Sequence, residues 1–86
     1  MKEPEFITYT TLSNHYACYP AQREFRKNFP KGVDVWELIR KLEERKDSKG
    51  YIYWLFDRLK LTGICKGWWK NGQLRYVRKF KNGIQD

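Results

Sequence analysis

The chain has 86 residues, a net charge of +8, and four Trp, six Tyr and five Phe side chains. A chain of this length forms one domain with a modest core, which large aromatic rings help to fill. It has no apolar run long enough to cross a membrane, and residues 1–5 lack an apolar secretion segment. We therefore expect a single domain over residues 1–86, cytoplasmic and without a membrane partner.

The positive charge is concentrated in the last third of the chain. Residues 58–86 hold eight Lys or Arg and one acidic residue, Asp86, whereas residues 1–57 are nearly balanced. From Arg58 to Gln85 there is no acidic residue. Such asymmetry is typical of a surface for an acidic protein or for nucleic acid, but lysines can also serve only to protect a hairpin edge.

The front of the chain, residues 6–60, is predicted to be mainly helical after a tail at residues 1–5. Residues 6–12 have the composition of a strand, and a helix there stays open. Pro20 suits the first turn of a helix, which predicts a helix from about Pro20 to Asn28. Pro30 and Gly32 follow and end it.

The third helical segment carries the clearest start signal. Asp34 is a favourable N-cap residue, and Glu37 three residues later completes a capping-box pattern. Its apolar residues recur at helical spacing and are Val35, Leu38, Ile39 and Leu42. We expect this helix to end near Arg45.

Residues 50–60 are predicted to form another helix, with Ser48 as a candidate cap. The propensities of residues 51–56 favour a strand. However, Ile52, Leu55, Phe56 and Leu59 recur at helical spacing, which favours the helix.

Residues 61–86 are predicted to form a basic β-hairpin. Asn71-Gly72 lies between two runs rich in aromatic and β-branched residues, the strongest short signal for a two-residue turn. The cross-strand pairs that this turn predicts are Lys70–Gln73, Trp69–Leu74, Trp68–Arg75, Gly67–Tyr76 and Lys66–Val77.

Side chains alternate along each strand, so this register predicts two different faces. The predicted core face carries Cys65, Gly67, Trp69, Leu74, Tyr76 and Phe80. The predicted basic face carries Lys66, Trp68, Lys70, Arg75, Val77 and Lys79. Trp68 could stack on a base or an aromatic side chain of a partner, or could only stabilise the ribbon, and both interpretations stay open. The candidate partner-binding residues are Lys66, Trp68, Lys70, Arg75, Lys79 and Lys81.

A short repeat extends the hairpin. Lys70-Asn71-Gly72 and Lys81-Asn82-Gly83 recur eleven residues apart, and residues 84–86 follow the second copy. A second turn there would leave a short third strand and an open sheet edge. That edge could bind a partner or pair two copies of the chain.

Residues 63–75, together with Phe80-Lys81-Asn82-Gly83, resemble the MORN-type repeat variant of bacterial antitoxin-like proteins. The residues that carry the resemblance are Gly63, Gly67-Trp68-Trp69, Asn71-Gly72-Gln73-Leu74 and the second Asn-Gly. This resemblance implies a module that binds protein or lipid.

The front half resembles small helical modules of phage and prophage proteins. The residues that carry this resemblance are Ala17-Cys18, Phe25, Phe29-Pro30-Lys31-Gly32 and Trp54-Leu55. The resemblance implies a mobile-element protein, and it implies no chemistry.

No catalytic or metal-binding set is predicted. His15 is the single histidine, and only Cys18 and Cys65 could join it, whereas a structural zinc site needs four ligands. The carboxylates are interpreted as caps and solvated helix faces. Two cysteines are too few for a disulfide framework, so we expect reduced and mostly buried thiols, with a single bridge between them left open.

These patterns predict an α+β fold with two to three short helices packed on one face of a C-terminal antiparallel β-hairpin. The leading functional hypothesis is a small non-enzymatic binding protein without cofactors. Its concrete form is a phage or mobile-element inhibitor, anti-CRISPR-like or otherwise anti-defence. It would occupy an acidic or nucleic-acid-binding surface of a protein or nucleoprotein partner. The alternative is direct, sequence-nonspecific nucleic-acid binding by the basic aromatic face of the hairpin.

Overall fold

A computed structural model of the chain describes residues 6–15 and 17–85, so the predicted tail at residues 1–5 lies outside the described residues. Within them, four helices and two small antiparallel sheets make an α+β fold, which confirms the predicted class. The predicted number of two to three helices is wrong, because residues 9–14, where strand or helix stayed open, form a further helix. The elements in chain order are β1 (Phe6–Ile7), α1 (Tyr9–Asn14), α2 (Tyr19–Asn28), β2 (Val33–Asp34), α3 (Val35–Glu44), α4 (Tyr51–Arg58), β3 (Gly63–Trp68), β4 (Leu74–Lys81) and β5 (Ile84–Gln85).

The chain divides into two compact units, Met1–Leu38 and Ile39–Asp86. The first unit contains the two-stranded sheet β1–β2, in which Ile7 pairs with Val33. Residues 6–12, for which the sequence allowed either a strand or a helix, contain parts of both, since β1 is followed at once by α1. Thr8 caps α1 through a reciprocal pair of hydrogen bonds with Thr11, and this capping box fixes where the strand ends.

Helix α2 confirms the predicted helix with a start one residue earlier, at Tyr19. Pro20 occupies its first turn, where its missing N–H costs no hydrogen bond. Phe25 is buried, and its ring centroid lies 5.5 Å from that of Phe29. The helix is therefore held by one apolar side and exposes the other.

Helix α3 begins where the sequence predicted. The Asp34 carboxylate accepts hydrogen bonds from the backbone N–H groups of Trp36 at 3.1 Å and Glu37 at 3.3 Å. All members of the predicted apolar stripe are buried. The helix ends at Glu44, and Lys46 takes a left-handed φ of +53°, which closes the end in a Schellman motif.

The second unit is organised around Asp47, the one buried charged side chain among the described residues. Its carboxylate accepts hydrogen bonds from the backbone N–H groups of Lys49 (3.2 Å), Tyr51 (2.8 Å) and Ile52 (3.3 Å). Asp47 thus caps α4, and the predicted cap Ser48 is wrong. The Asp47 backbone carbonyl also accepts the Trp68 N–H at 3.1 Å, so one residue joins α4 to β3.

Helix α4 confirms the helix at residues 51–58 over the strand that propensity favoured. Ile52, Leu55 and Phe56 are buried. The Phe80 ring of β4 lies 5.3 Å from the Phe56 ring and 5.4 Å from the Tyr53 ring. Burial of this apolar stripe against the sheet outweighs the small strand propensity of its residues.

The predicted two-residue turn at Asn71-Gly72 is wrong in its geometry. The Trp69 N–H donates to the Gln73 carbonyl at 2.8 Å, so the loop has three residues, 70–72. Gly72 has a φ of +89°, whereas Asn71 is not left-handed. The Asn71 side chain instead accepts the Gln73 N–H at 3.0 Å, an alternative local bond that asparagine makes readily.

The longer loop changes the register next to it. Gly67–Tyr76 and Lys66–Val77 pair as predicted, but Trp68 pairs with Leu74. Arg75 is therefore an extra residue on β4, a β-bulge. The predicted pairs Trp68–Arg75, Trp69–Leu74 and Lys70–Gln73 are wrong for this reason.

The second Asn-Gly forms the tight turn that the first does not. Asn82 and Gly83 have φ values of +51° and +80°, as a type I′ turn requires, and Lys81 pairs with Ile84 across it. The sheet therefore has three strands in the order β3-β4-β5. The Gly83 N–H donates to the Leu61 carbonyl at 3.0 Å, which docks this turn on the chain after α4.

Two glycines with the same φ of +80° provide a matched test of this docking. A Cβ atom at Gly83 would lie 2.8 Å from the Lys60 Cα, whereas one at Gly50 would meet nothing within 4 Å. We expect Gly50→Ala to lower the free energy of unfolding by about 1 kcal/mol, the cost of a left-handed alanine. Gly83→Ala should lower the free energy of unfolding by at least about 2 kcal/mol, because the backbone at Lys60 must move to make room for the new methyl group. Urea unfolding measures both, and equal losses would contradict the close approach.

Candidate functional site

The three-stranded sheet has one side on which aliphatic residues and lysines alternate. Directly opposite residues of an antiparallel pair project to the same side, so the register defines this set. We call it the outer face, and its residues are Ile64, Lys66, Trp68, Leu74, Val77, Lys79, Lys81 and Ile84.

The aliphatic side chains of the outer face are open to solvent. Ile64 is 44% exposed, Leu74 and Val77 are each 53% exposed, and Ile84 is 72% exposed. Lys79 and Lys81 are exposed between them, and Lys66 is half-buried. Because residues 58–85 contain no acid, the lysines have no carboxylate neighbour from their own strands. The outer face is therefore both apolar and positively charged.

The opposite side, the inner face, changes character along its length. Near α4 it holds Cys65 and Phe80, which are 0% and 3% exposed. Toward the loop it holds Gly67 and Tyr76, and a Cβ atom on Gly67 would overlap the Tyr76 ring. The Tyr76 ring thus lies over the bare backbone of Gly67, the residue with which it was predicted to pair.

Two residues of the predicted core face are exposed. Trp69 is 51% exposed and Leu74 is 53% exposed, so their assignment to the core is wrong. Leu74 pairs with Trp68 and is carried to the outer face by the one-residue shift at Arg75. Phe80 and Cys65, two pairs or more from the bulge, keep their predicted burial.

The predicted partner-binding residues are divided between places. Lys66, Trp68, Lys79 and Lys81 share the outer face, and Lys70 is exposed in the loop. The Arg75 guanidinium lies 4.4 Å from the centroid of the Trp69 ring, so the predicted contact of Arg75 with Trp68 is replaced by one with Trp69. A second pair, Arg78 over Tyr76 at 5.1 Å, lies beside it.

The sequence patterns missed Ile64, Leu74 and Ile84 as surface residues. Ile64 alternates with Cys65 and could have been placed outside from that pattern alone. The exposure of Leu74 could be predicted only if the bulge were known. That of Ile84 could be predicted only if the third strand were known to form. Their common feature is an apolar side chain that no element of the described part of the chain covers.

The two thiols differ in environment, and both are free. Cys18 is exposed, so the expectation that both are buried is wrong for it. Burial raises the pKa of the Cys65 thiol to about 11, with the nearby Arg78 guanidinium opposing that rise and the Asp47 carboxylate adding to it. Cys65 is therefore a protonated core residue at neutral pH.

Within residues 6–15 and 17–85, no group of three His, Cys, Asp or Glu side chains is placed to hold a metal ion. No helix in the described part of the chain has the length and apolar character needed to cross a bilayer. Comparison of the chain with protein-family models, with curated proteins and with solved structures finds no match.

The raised pKa of Cys65 predicts alkaline destabilisation. Below its ordinary pKa of 9.0 the thiol is protonated in both the folded and unfolded states. Between about pH 9 and pH 11 the unfolded chain releases the proton and the folded chain keeps it, so stability falls as pH rises. The slope from this group is at most about 1.4 kcal/mol per pH unit. Urea unfolding at several pH values should show a shallower fall for Cys65→Ala, while Cys18→Ala follows the unmodified chain. Equal slopes in the two variants would contradict the prediction.

Proposed function

We propose that this chain is a non-enzymatic binding protein whose outer face docks on an acidic surface of a protein partner. The observation that carries the proposal is the set of four aliphatic side chains, 44–72% exposed, on one side of a small sheet. Single exposed apolar residues are ordinary, but neighbours on one face form a patch that is typical of an interaction site.

The composition of the outer face favours a protein over a nucleic acid. Aliphatic side chains gain free energy when another apolar surface covers them, at roughly 25 cal/mol per Å² buried. They neither stack on bases nor pair with phosphates. Trp68 is the one aromatic residue of this face and is half-buried, so a base-stacking surface is not supported there.

The lysines of the outer face specify the charge of the partner. Lys66 is opposite Val77, and Lys79 is opposite Ile64, so positive and apolar side chains alternate across the two strands. A partner with carboxylates around an apolar patch would complement this pattern. Such complementarity raises the association rate and selects against basic surfaces.

In this proposal the helices cover only the inner face of the sheet, as the sequence pattern predicted. The contacts of Phe80 with Phe56 and Tyr53 in α4 support that arrangement within the second unit. The outer face would then stay free for a partner.

The most concrete form is an inhibitor encoded by a phage or mobile element, which occupies a working surface of host or defence machinery. Its support is the basic sheet together with the resemblances of the hairpin and the front half described above. A nucleoprotein complex is an equally suitable target if its contacted surface is acidic protein.

The test is affinity capture from the cells that produce the chain, with nuclease treatment throughout. One bait carries Lys66→Glu, Lys79→Glu and Lys81→Glu on the outer face. The matched control carries Arg23→Glu, Arg26→Glu and Lys27→Glu, which are exposed on α2 and change the net charge equally. We expect the control to retain an acidic partner that the outer-face variant loses. Binding of the purified pair should weaken at least about tenfold, or 1.4 kcal/mol.

Retention of that partner by the outer-face variant, with both variants folded by circular dichroism, would contradict the proposed surface. Loss of the partner on nuclease treatment of the unmodified chain would instead indicate a nucleic-acid bridge.

A further inference from the structure

We propose that the loop end of the inner face is a second binding site, which stacks bases of single-stranded nucleic acid. The site consists of Trp69, Arg75, Tyr76 and Arg78, which we call the stacking cluster. It lies on the other side of the sheet from the outer face. It is independent of the proposed protein docking, and either can fail without the other.

The stacking cluster contains two aromatic rings, each with a guanidinium group over it. Arg75 lies 4.4 Å from the Trp69 ring centroid, and Arg78 lies 5.1 Å from that of Tyr76. Trp69 is 51% exposed, and both arginines are exposed. A base can stack on an aromatic ring or on a guanidinium plane, so each pair offers a platform.

The two platforms are spaced along the strand direction. Trp69 lies one residue beyond β3, and its N–H donates to the Gln73 carbonyl at 2.8 Å, which continues the strand pairing. In extended backbone, residues two apart project to the same side about 7 Å apart, so we infer that Trp69 lies on the side of Gly67. The Tyr76 ring lies over Gly67, which has no side chain to hold the ring away from the sheet. At Tyr76 the plane open to a base is the Arg78 guanidinium, because the ring lies between Gly67 and Arg78. This plane and the Trp69–Arg75 pair, separated in this way, can receive consecutive bases of an extended single strand.

The β-bulge is what assembles the cluster. Without the extra residue, Arg75 would pair with Trp68 and project to the outer face. With it, the guanidinium covers Trp69. Among the described residues neither Arg75 nor Arg78 forms an ion pair, and residues 58–85 contain no acid. The donors at the edges of both guanidinium groups can therefore meet phosphates.

The chemistry of the cluster differs from that of the outer face. The outer face offers aliphatic area, which suits protein, whereas the cluster offers aromatic and guanidinium planes flanked by the exposed Lys70. A single strand combines flat bases with a phosphate chain and matches both features. A duplex keeps its bases stacked inside and matches only the charge.

The test measures fluorescence anisotropy of a labelled oligothymidylate of about 12 nucleotides at low salt. Site sizes for such binding are about 4–16 nucleotides. We expect Trp69→Ala to weaken binding by roughly fivefold to 150-fold, the loss of one stacked base, while Trp69→Phe retains most of it. The matched control is Leu74→Ala, since Leu74 is 53% exposed next to the loop but pairs with Trp68 and lies on the outer face. This control should bind the oligonucleotide as the unmodified chain does.

Salt dependence separates stacking from simple charge. Arg75→Gln should reduce the slope of log affinity against log salt by about 0.7, the value for one phosphate contact on a single strand. A duplex of the same length should bind more weakly than the single strand.

The proposal is overturned if the unmodified chain does not bind the single strand at low salt. It is also overturned if Trp69→Ala binds as Leu74→Ala does, or if the duplex binds equally well; the cation–π pairs would then serve only the hairpin.

Discussion

The buried carboxylate of Asp47 is the interaction on which the second unit depends. The backbone N–H groups of Tyr51 and Ile52 at the start of α4, and that of Lys49 in the preceding connection, donate to it. The Asp47 carbonyl accepts a fourth N–H, from Trp68 of β3. Charge-assisted hydrogen bonds of this kind are stronger than neutral ones, and an unsatisfied buried N–H is costly. Asp47 follows directly after Lys46, the left-handed residue that closes the end of α3. One short connection therefore ends α3, caps α4 and forms a hydrogen bond with the edge strand β3.

This connection decides which side of the sheet is covered. With α4 held beside β3, Phe56 and Tyr53 meet Phe80, and Cys65 is fully buried. The inner face is thus filled at one end only. The outer face keeps its aliphatic residues and lysines, and the loop end keeps its aromatic rings and arginines. The small sheet therefore carries two surfaces of different chemistry, for which we propose an acidic protein and an unpaired nucleic-acid strand as partners.

The helices were predictable because their signals are local. The Asp34 cap and the apolar stripe of α3 act within a few residues, and both are confirmed. The helix at residues 51–58 was also predictable from spacing, against the propensity of its residues. The residue that caps this helix was not predictable. The Asp47 carboxylate accepts the N–H of Tyr51, four residues later, whereas the nearer Ser48 fits the usual capping pattern better.

The sheet was predictable only in part, because one extra residue in a strand changes the cross-strand pairs between it and the turn. Asn-Gly occurs twice, and only the second copy, Asn82-Gly83, adopts the turn with two positive φ values. At the first copy the loop is one residue longer and a bulge follows, which exposes Leu74 and moves Arg75 onto Trp69. No pattern in the sequence separates the two copies, since the docking of Gly83 after α4 is a tertiary contact. Lys66, Trp68, Lys79 and Lys81 therefore share one face as predicted, whereas Arg75 does not. Their role in binding stays a prediction.

The most direct measurement of this dependence is the free energy of unfolding of Asp47→Ala and Ser48→Ala in urea. Asp47→Ala should lose about 1–3 kcal/mol, because it leaves the N–H groups at the start of α4 without their acceptor. Ser48→Ala removes an exposed neighbour and should change stability by no more than about 0.5 kcal/mol. Equal losses in the two variants, or an Asp47→Ala variant as stable as the unmodified chain, would contradict the central role of Asp47.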